Sequence, residues 1–103
     1  MRLGNLLPVL VLAACGGGYD KVLELDGDIV SGEFIYGGYC ASCHGDEGEG
    51  LNGPALTERL PLLTSAEILE QVETGGNGMP AYEGEFTDQE LADLLEYLTL
   101  TFQ

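Results

Sequence analysis

The sequence has few positive charges and no long hydrophobic run. Lys and Arg together number 3, against 18 Asp and Glu, and the formal charge at pH 7 is −15. Binding to a phosphate backbone depends on cations that neutralise it, so nucleic acid and bare anionic lipid surfaces are excluded as direct partners. No run approaches the ~18 to 20 apolar residues that a spanning helix needs, so no transmembrane segment is predicted.

Cysteine and histidine are also scarce. The chain has three cysteines, Cys15, Cys40 and Cys43, and one histidine, His44. Three cysteines cannot all pair within one chain, and the spacing of the last two with His44 indicates a role other than disulfide bonding. With 103 residues, of which 45% are hydrophobic, the chain is too apolar for a disordered acidic tail and has room for one small domain.

Residues 1–14 are predicted to be a lipoprotein signal peptide. Arg2 precedes an apolar stretch that is long enough for a signal h-region and too short to cross a bilayer. The stretch ends in Leu-Ala-Ala-Cys at residues 12–15, which resembles the lipobox of bacterial lipoproteins, where the cysteine thiol receives a diacylglyceryl group before cleavage. An ordinary signal peptide beside an unrelated cysteine is the alternative. The lipobox predicts that Cys15 starts the mature chain and anchors it on the periplasmic side of a membrane in the bacterial cell envelope.

Residues 15–27 are predicted to be a flexible, lipid-anchored tether, and residues 28–103 the folded domain. The tether contains three consecutive glycines followed by a polar stretch. A domain this negative is repelled by anionic head groups, so we expect the covalent lipid to be its only attachment to the membrane.

Three helices are predicted in the domain, and no strand signal competes with them. Asp28 is the candidate N-cap of a helix over residues 28–39. A second helix, capped by Thr64 or Ser65, is predicted to run through residue 72, and a third from residue 87 onward. Thr64 and Thr87 are each followed three residues later by Glu, which is the capping-box pattern. The last helix carries the clearest apolar stripe. The sequence therefore predicts a single all-α domain with long loops.

The pattern C-x-x-C-H at residues 40–44 is the attachment pattern of c-type haem. Two thiols about one helical turn apart can add to the two vinyl groups of the macrocycle, and the adjacent imidazole then lies under the iron. One covalent haem c, held by Cys40, Cys43 and His44, is the predicted cofactor. A redox-active C-x-x-C normally accompanies a βαβ pattern, which is absent, and a structural zinc site would have only Cys15 left as its fourth ligand.

Met79 is the candidate ligand for the other side of the iron. Apart from the initiator it is the only methionine, and it lies in a glycine-rich loop before Pro80. Glycine lets the backbone approach a flat cofactor, and Pro80 restricts Met79 to extended geometry. The alternative is that Met79 fills a gap in a small core. A His/Met pair raises the reduction potential and saturates the iron, which favours electron transfer over oxygen chemistry.

With these motifs, residues 28–103 resemble the class I cytochromes c, in their small bacterial mono-haem form. Gly32 and Tyr36 stand where the first helix of that family has a small residue and an aromatic, and Leu94 and Tyr97 stand where its last helix packs across them. The resemblance implies three to four short helices wrapped around a covalently bound haem.

The resemblance also implies that the carbonyl of Pro54 accepts a hydrogen bond from the His44 imidazole and orients it. Among the apolar residues of the domain, we expect direct haem contact from Leu56, Leu69 and Tyr82. Well-known carriers of the family surround the haem edge with lysines, whereas this chain is acidic, so we expect a basic docking face on its redox partners.

The sequence therefore predicts a membrane-anchored extracytoplasmic electron carrier, which is not an enzyme and has no small-molecule substrate. Two alternatives stay open: a five-coordinate haem sensor that binds a diatomic ligand, and a fixed electron-transfer subunit of a larger oxidoreductase. Two surface hypotheses also stay open. The acidic residues at 46, 47 and 49 form either a docking face or a solvated loop, and Arg59 either contacts a haem propionate or is solvated.

Overall fold

The computed structural model describes residues 17–103, and this part of the chain is helical, which confirms the all-α prediction. It contains six α-helices: α1 Asp20–Glu24, α2 Ile29–Tyr39, α3 Ala41–His44, α4 Leu56–Arg59, α5 Ser65–Thr74 and α6 Asp88–Phe102. Short 3-10 turns precede α1 and follow α4. None of the helices in this described part is long and apolar enough to cross a membrane.

The three longest helices, α2, α5 and α6, are the three that the sequence predicts. The Asp28 side chain accepts a hydrogen bond of 2.9 Å from the Val30 N–H at the start of α2. Both capping boxes are formed, with Thr64 as the N-cap of α5 and Thr87 as the N-cap of α6. These caps satisfy N–H groups that the first helical turn leaves unpaired, and so determine where each helix begins. Helix α5 ends at Thr74, two residues later than predicted.

Helix α2 packs across α6 in the crossing that the resemblance implied. At Gly32 the two backbones approach so closely that an added Cβ would overlap the carbonyl oxygen of Asp93. One turn further along α2, the ring of Tyr36 is 2% exposed and lies 5.4 Å from the ring of Tyr97 and 5.3 Å from that of Phe102, between centroids. The crossing places the end of α2, and with it the cysteine motif, against the core.

One buried carboxylate lies within the apolar stripe of α6. Asp93 is 6% exposed, and its Oδ1 accepts hydrogen bonds from the Asp28 backbone N–H at 2.8 Å and from the Gln89 side chain at 2.9 Å. A buried carboxylate is tolerated when its oxygens are hydrogen-bonded. Asp93 therefore ties the start of α2 to the middle of α6.

The folded domain begins earlier than the sequence predicts. The predicted tether spans residues 15–27, but residues 20–24 form α1, on which Val22 is 4% exposed and packs into the core. The Gln89 side chain also donates a 2.9 Å hydrogen bond to the carbonyl of Asp26. One buried valine in a short helix produces no periodic pattern, because periodicity needs several turns to appear. Residues 20–26 thus belong to the domain, while residues 15 and 16 lie outside the described residues.

Replacing Gly32 by alanine is expected to destabilise the domain by about 1–3 kcal/mol, because the added methyl group overpacks the α2–α6 contact. Gly37 is the matched control in the same helix, because a Cβ there would meet no atom within 4 Å. Gly37→Ala is therefore expected to stabilise the domain by about 0.5–1 kcal/mol. Guanidinium unfolding of the haem-loaded protein, followed by circular dichroism, measures both. Equal effects of the two substitutions would contradict the close approach.

Candidate functional site

The cysteine motif directly follows α2: Cys40 caps the end of α2 and the start of α3, and Cys43 and His44 lie on α3. The backbone N–H of Cys40 donates to the Tyr36 carbonyl at 2.9 Å, and that of His44 donates to the Cys40 carbonyl at 3.0 Å. Both thiols are free and partly exposed. Residues three apart share one side of a helix, so Cys40 and Cys43 present their thiols toward the same space. Burial, with a smaller contribution from Cys43, raises the pKa of the Cys40 thiol to about 11.

The imidazole of His44 is buried and held in one orientation. Its Nδ1 lies 2.9 Å from the carbonyl oxygen of Pro54, the pair of atoms that the resemblance implied. A carbonyl oxygen is an acceptor, so Nδ1 carries the proton and Nε2 is the nitrogen left for a metal. A Cβ at Gly53 would lie 2.8 Å from Cε1 of the ring, so no side chain fits there. The backbone of residues 53 and 54 thus forms the support behind the imidazole.

Met79 lies in a tight turn after α5. Its backbone N–H and carbonyl both pair with Gly76, at 3.0 and 2.9 Å. The two residues between them, Asn77 and Gly78, have φ angles of 55° and 94°, a conformation that asparagine and glycine adopt more readily than other residues. The two hydrogen bonds close the turn and hold the backbone of Met79 in place.

The Met79 thioether contacts Gln71, a site residue that the sequence analysis missed. Gln71 Nε2 lies 3.7 Å from Met79 Sδ and donates a 3.0 Å hydrogen bond to the Gly75 carbonyl. The signal for it is its place in α5, three residues after the buried Ile68 and therefore beside the apolar face of that helix. Gln71 links the end of α5 to the sulfur.

Comparison with known proteins gives matches along most of the chain. A family model described as "Cytochrome C oxidase, cbb3-type, subunit III" matches residues 27–98. Cytochrome c-550 of Bacillus subtilis is 32% identical over 96% of this chain and 98% of its own length. The chain belongs to the class I cytochromes c. A cytochrome c-553-like protein of Synechocystis sp. is 39% identical over 76% of this chain and 73% of its own length.

The fold is likewise similar to that of solved cytochromes c. The structure of cytochrome c6 from the diatom Phaeodactylum tricornutum has a TM-score of 0.60 and 34% identity, and covers 72% of this chain and 93% of its own. Cytochrome cL from Hyphomicrobium denitrificans has a TM-score of 0.66 and 26% identity, and covers 96% of this chain and 61% of its own. As a cytochrome c, the chain is an electron-transfer protein with covalently bound haem c, which confirms the predicted cofactor and the prediction that it is not an enzyme.

The residues of this cytochrome c fit that cofactor. The motif supplies two thiols one helical turn apart and an imidazole whose Nε2 is available. Because Gly53 has no side chain, the His44 imidazole has room beside it. When bound, the haem supplies a single iron that accepts or releases one electron. Cys40 and Cys43 would hold it covalently, and the Pro54 carbonyl would keep the His44 ring from rotating.

The remaining predicted haem contacts lie in three different segments. Leu69 on α5 is 1% exposed, whereas Leu56 at the start of α4 and Tyr82 are partly buried. Burial is the largest cause that raises the pKa of Tyr82, followed by Cys40 and Cys43. The Tyr82 hydroxyl donates to the carbonyl of Tyr39, the residue before Cys40. Arg59 is exposed at the end of α4, and so are the acidic residues at 46, 47 and 49.

The loop that follows His44 is fixed by a buried tyrosine. The Tyr36 hydroxyl donates a 2.6 Å hydrogen bond to the Gly45 carbonyl, and the Gly50 N–H donates to the His44 carbonyl at 2.7 Å. Burial is the largest cause that raises the pKa of Tyr36 above its usual value, and Cys40 is the next. The buried hydroxyl therefore stays protonated at pH values at which an exposed tyrosine ionises.

Tyr36→Phe is expected to lower the free energy of unfolding near neutral pH by about 0.5–1.5 kcal/mol, because it removes the hydrogen bond to Gly45. Above about pH 10 the unfolded chain loses the Tyr36 proton while the folded chain keeps it, so stability falls with rising pH through this group. The variant lacks the hydroxyl and should lose less stability between neutral and alkaline pH.

Guanidinium titrations of the haem-loaded protein at about pH 7 and about pH 10.5 measure the difference between the two conditions. Tyr39→Phe is the matched control, because Tyr39 is 46% exposed at the end of the same helix. The free energy of unfolding should fall less between the two pH values in Tyr36→Phe than in the control. An equal fall in both variants would contradict the raised pKa of Tyr36.

Proposed function

We propose that this cytochrome c is a lipid-anchored electron carrier of the bacterial cell envelope, with His44 and Met79 as the axial ligands of its haem iron. The observation that carries the proposal is the fixed position of Met79, whose backbone is closed on Gly76 and whose sulfur contacts Gln71. A methionine that only filled a gap in the core would not need a closed turn to position its backbone.

The arrangement favours electron transfer over ligand binding. An iron with nitrogen on one side and sulfur on the other has no open position for a diatomic ligand. The protein's part is to hold both ligands still, so that the iron changes charge with little rearrangement. The Gln71 amide has a second effect. An N–H donor near the Met79 sulfur withdraws electron density from the sulfur, and this favours the reduced iron.

Met79→Ala is expected to leave the haem covalently bound through Cys40 and Cys43 but to lower the reduction potential, because the thioether that favours the ferrous iron is lost. A spectroelectrochemical titration measures the potential. The reduced variant should also bind carbon monoxide, whereas the reduced wild type should resist it.

Leu62→Ser serves as the control for Met79→Ala, because Leu62 is 78% exposed and lies in the turn after α4. Its potential should equal that of the wild type. An unchanged potential in Met79→Ala would overturn the axial assignment. A rapid, stoichiometric spectral change of the reduced wild type with carbon monoxide would favour the five-coordinate sensor.

The proposed anchor is a lipid on Cys15, which lies outside the described residues. The lipobox at residues 12–15 supports it, and α1 begins at Asp20, five residues later. Even fully extended, five residues span at most about 18 Å. A lipid at Cys15 would therefore keep the domain near the surface of the membrane, on its extracytoplasmic side.

Cys15→Ser is expected to abolish labelling of the protein by radioactive palmitate, because the serine hydroxyl does not replace the thiol in the diacylglyceryl transfer. Haem content should be unchanged, because Cys40 and Cys43 remain. Palmitate labelling with a pyridine haemochrome assay, together with the mass of the mature wild type, tests the anchor. Undiminished labelling of Cys15→Ser would rule out Cys15 as the lipid site.

A second candidate is a fixed subunit of a larger oxidoreductase, because the matching family model is described as an oxidase subunit. The two candidates differ in how long the protein stays with one partner. Membranes solubilised in mild detergent and separated on native gels decide between them. Haem staining that stays with one large complex would favour the subunit, and haem staining at the size of the free protein would favour the carrier.

A further inference from the structure

A groove runs along the outer side of α2, between this helix and the segment that leads into α6. Its volume is about 680 Å³. Phe34 lines it and is 84% exposed, although large aromatic side chains are usually buried. At Gly37 and Gly38 an added Cβ would meet no atom within 4 Å, so the floor of the groove is open along the next turn of the helix. We call this feature the Phe34 groove.

The rim of the Phe34 groove carries charge of one sign. Glu33, Glu85 and Glu90 line it, and no Lys, Arg or His is among its lining residues. The only Lys and Arg residues in the described part of the chain, Lys21 and Arg59, lie elsewhere. An apolar groove lined also by three carboxylates repels anionic lipid and disfavours a second copy of this acidic chain. It is complementary to an apolar side chain flanked by Lys or Arg.

The inner wall of the groove leads to the haem-binding motif. Tyr39 lines the groove and directly precedes Cys40. Its ring packs edge-on against Phe86, with centroids 4.9 Å apart, and against Tyr82 at 5.8 Å. The Tyr82 hydroxyl also donates a 3.3 Å hydrogen bond to the Tyr39 carbonyl. A molecule bound in the Phe34 groove would therefore contact an aromatic cluster that is joined to the first haem-binding cysteine.

We propose that the Phe34 groove is the docking site for a one-electron redox protein that inserts an apolar side chain flanked by basic residues. The proposal rests on the proposed function as an electron carrier and adds the surface through which electrons enter or leave. One electron passes between the redox centre of the partner and the haem iron. No covalent bond forms or breaks.

The location is tested first with two redox-inert paramagnetic trications of chromium(III), one with phenanthroline ligands and one with ammine ligands. Both have the same charge, and only the phenanthroline complex is apolar. With the reduced, haem-loaded protein in phosphatidylcholine nanodiscs, the phenanthroline complex should broaden the amide resonances of Phe34, Gly37 and Gly38 more than the ammine complex does. Broadening centred on residues 46–49 instead, or equal broadening by both complexes, would overturn the proposal.

The rate of electron transfer is tested with tris(phenanthroline)cobalt(III) as the oxidant of the reduced protein. Phe34→Ser and the double variant Glu33→Gln/Glu85→Gln should each lower the second-order rate constant by roughly threefold to tenfold at low ionic strength. The effect of the double variant should shrink as salt screens the carboxylates. Leu62→Ser is the matched control for the loss of an exposed apolar side chain, and its rate should equal that of the wild type.

Two further comparisons keep the result specific. Asp46→Asn/Glu47→Gln removes the same number of charges from the loop after the motif, and a larger loss of rate there than in the groove variants would overturn the proposal. Sedimentation that shows a dimer in the wild type and a monomer in Phe34→Ser would instead assign the groove to a second copy. The haem content, potential and carbon monoxide response of each variant are measured first, and these decide the proposed function separately from docking.

Discussion

The close contact between α2 and α6 is the constraint on which the haem site depends. Gly32 lets the two backbones meet, and the Tyr36 ring packs one turn further on against the C-terminal half of α6. Because Cys40 follows at the end of α2, the position of the motif is determined by this crossing. The Tyr36 hydroxyl then extends the constraint to Gly45, just beyond His44. A small domain has little core of its own, so it gains most from a contact that both packs two helices and positions its cofactor.

The two sides of the proposed iron site are built in different ways. On the His44 side the ligand and its support come from one short segment, with Pro54 only ten residues after the histidine, so the orientation of the imidazole is a local property. On the Met79 side the sulfur depends on a turn that closes on itself and on Gln71 from the preceding helix. The Met79 side thus depends on the packing of α5 against the rest of the domain. A change in α5 is therefore able to shift the position of the Met79 sulfur without disturbing the bonds of Cys40 and Cys43 to the haem.

The sequence was sufficient for the parts of the molecule whose causes are local or periodic. Capping boxes and an Asp N-cap mark the starts of α2, α5 and α6, and the spacing of the motif indicates the cofactor. The short helix α1 was missed because its burial depends on one side chain, Val22, which packs into a core formed by residues far along the chain. Asp93 and Gln71 were missed for a related reason. Each is polar within or beside an apolar stripe. Asp93 accepts a hydrogen bond from Asp28, which only the fold brings near, and the contact of Gln71 with Met79 depends on the turn that follows α5.

The negative charge of the domain suits an electron carrier. A mobile carrier must meet its partner quickly and leave it quickly, so it gains more from a fast encounter than from tight binding. Exposed carboxylates raise the encounter rate with a basic partner while adding little to affinity, because water and salt screen them. One exposed aromatic residue beside these carboxylates adds a small apolar contact that orients the two proteins. It does so without the large apolar area that holds permanent subunits together. The Phe34 groove has this composition, and Tyr39, which lines it and packs against Phe86, directly precedes Cys40.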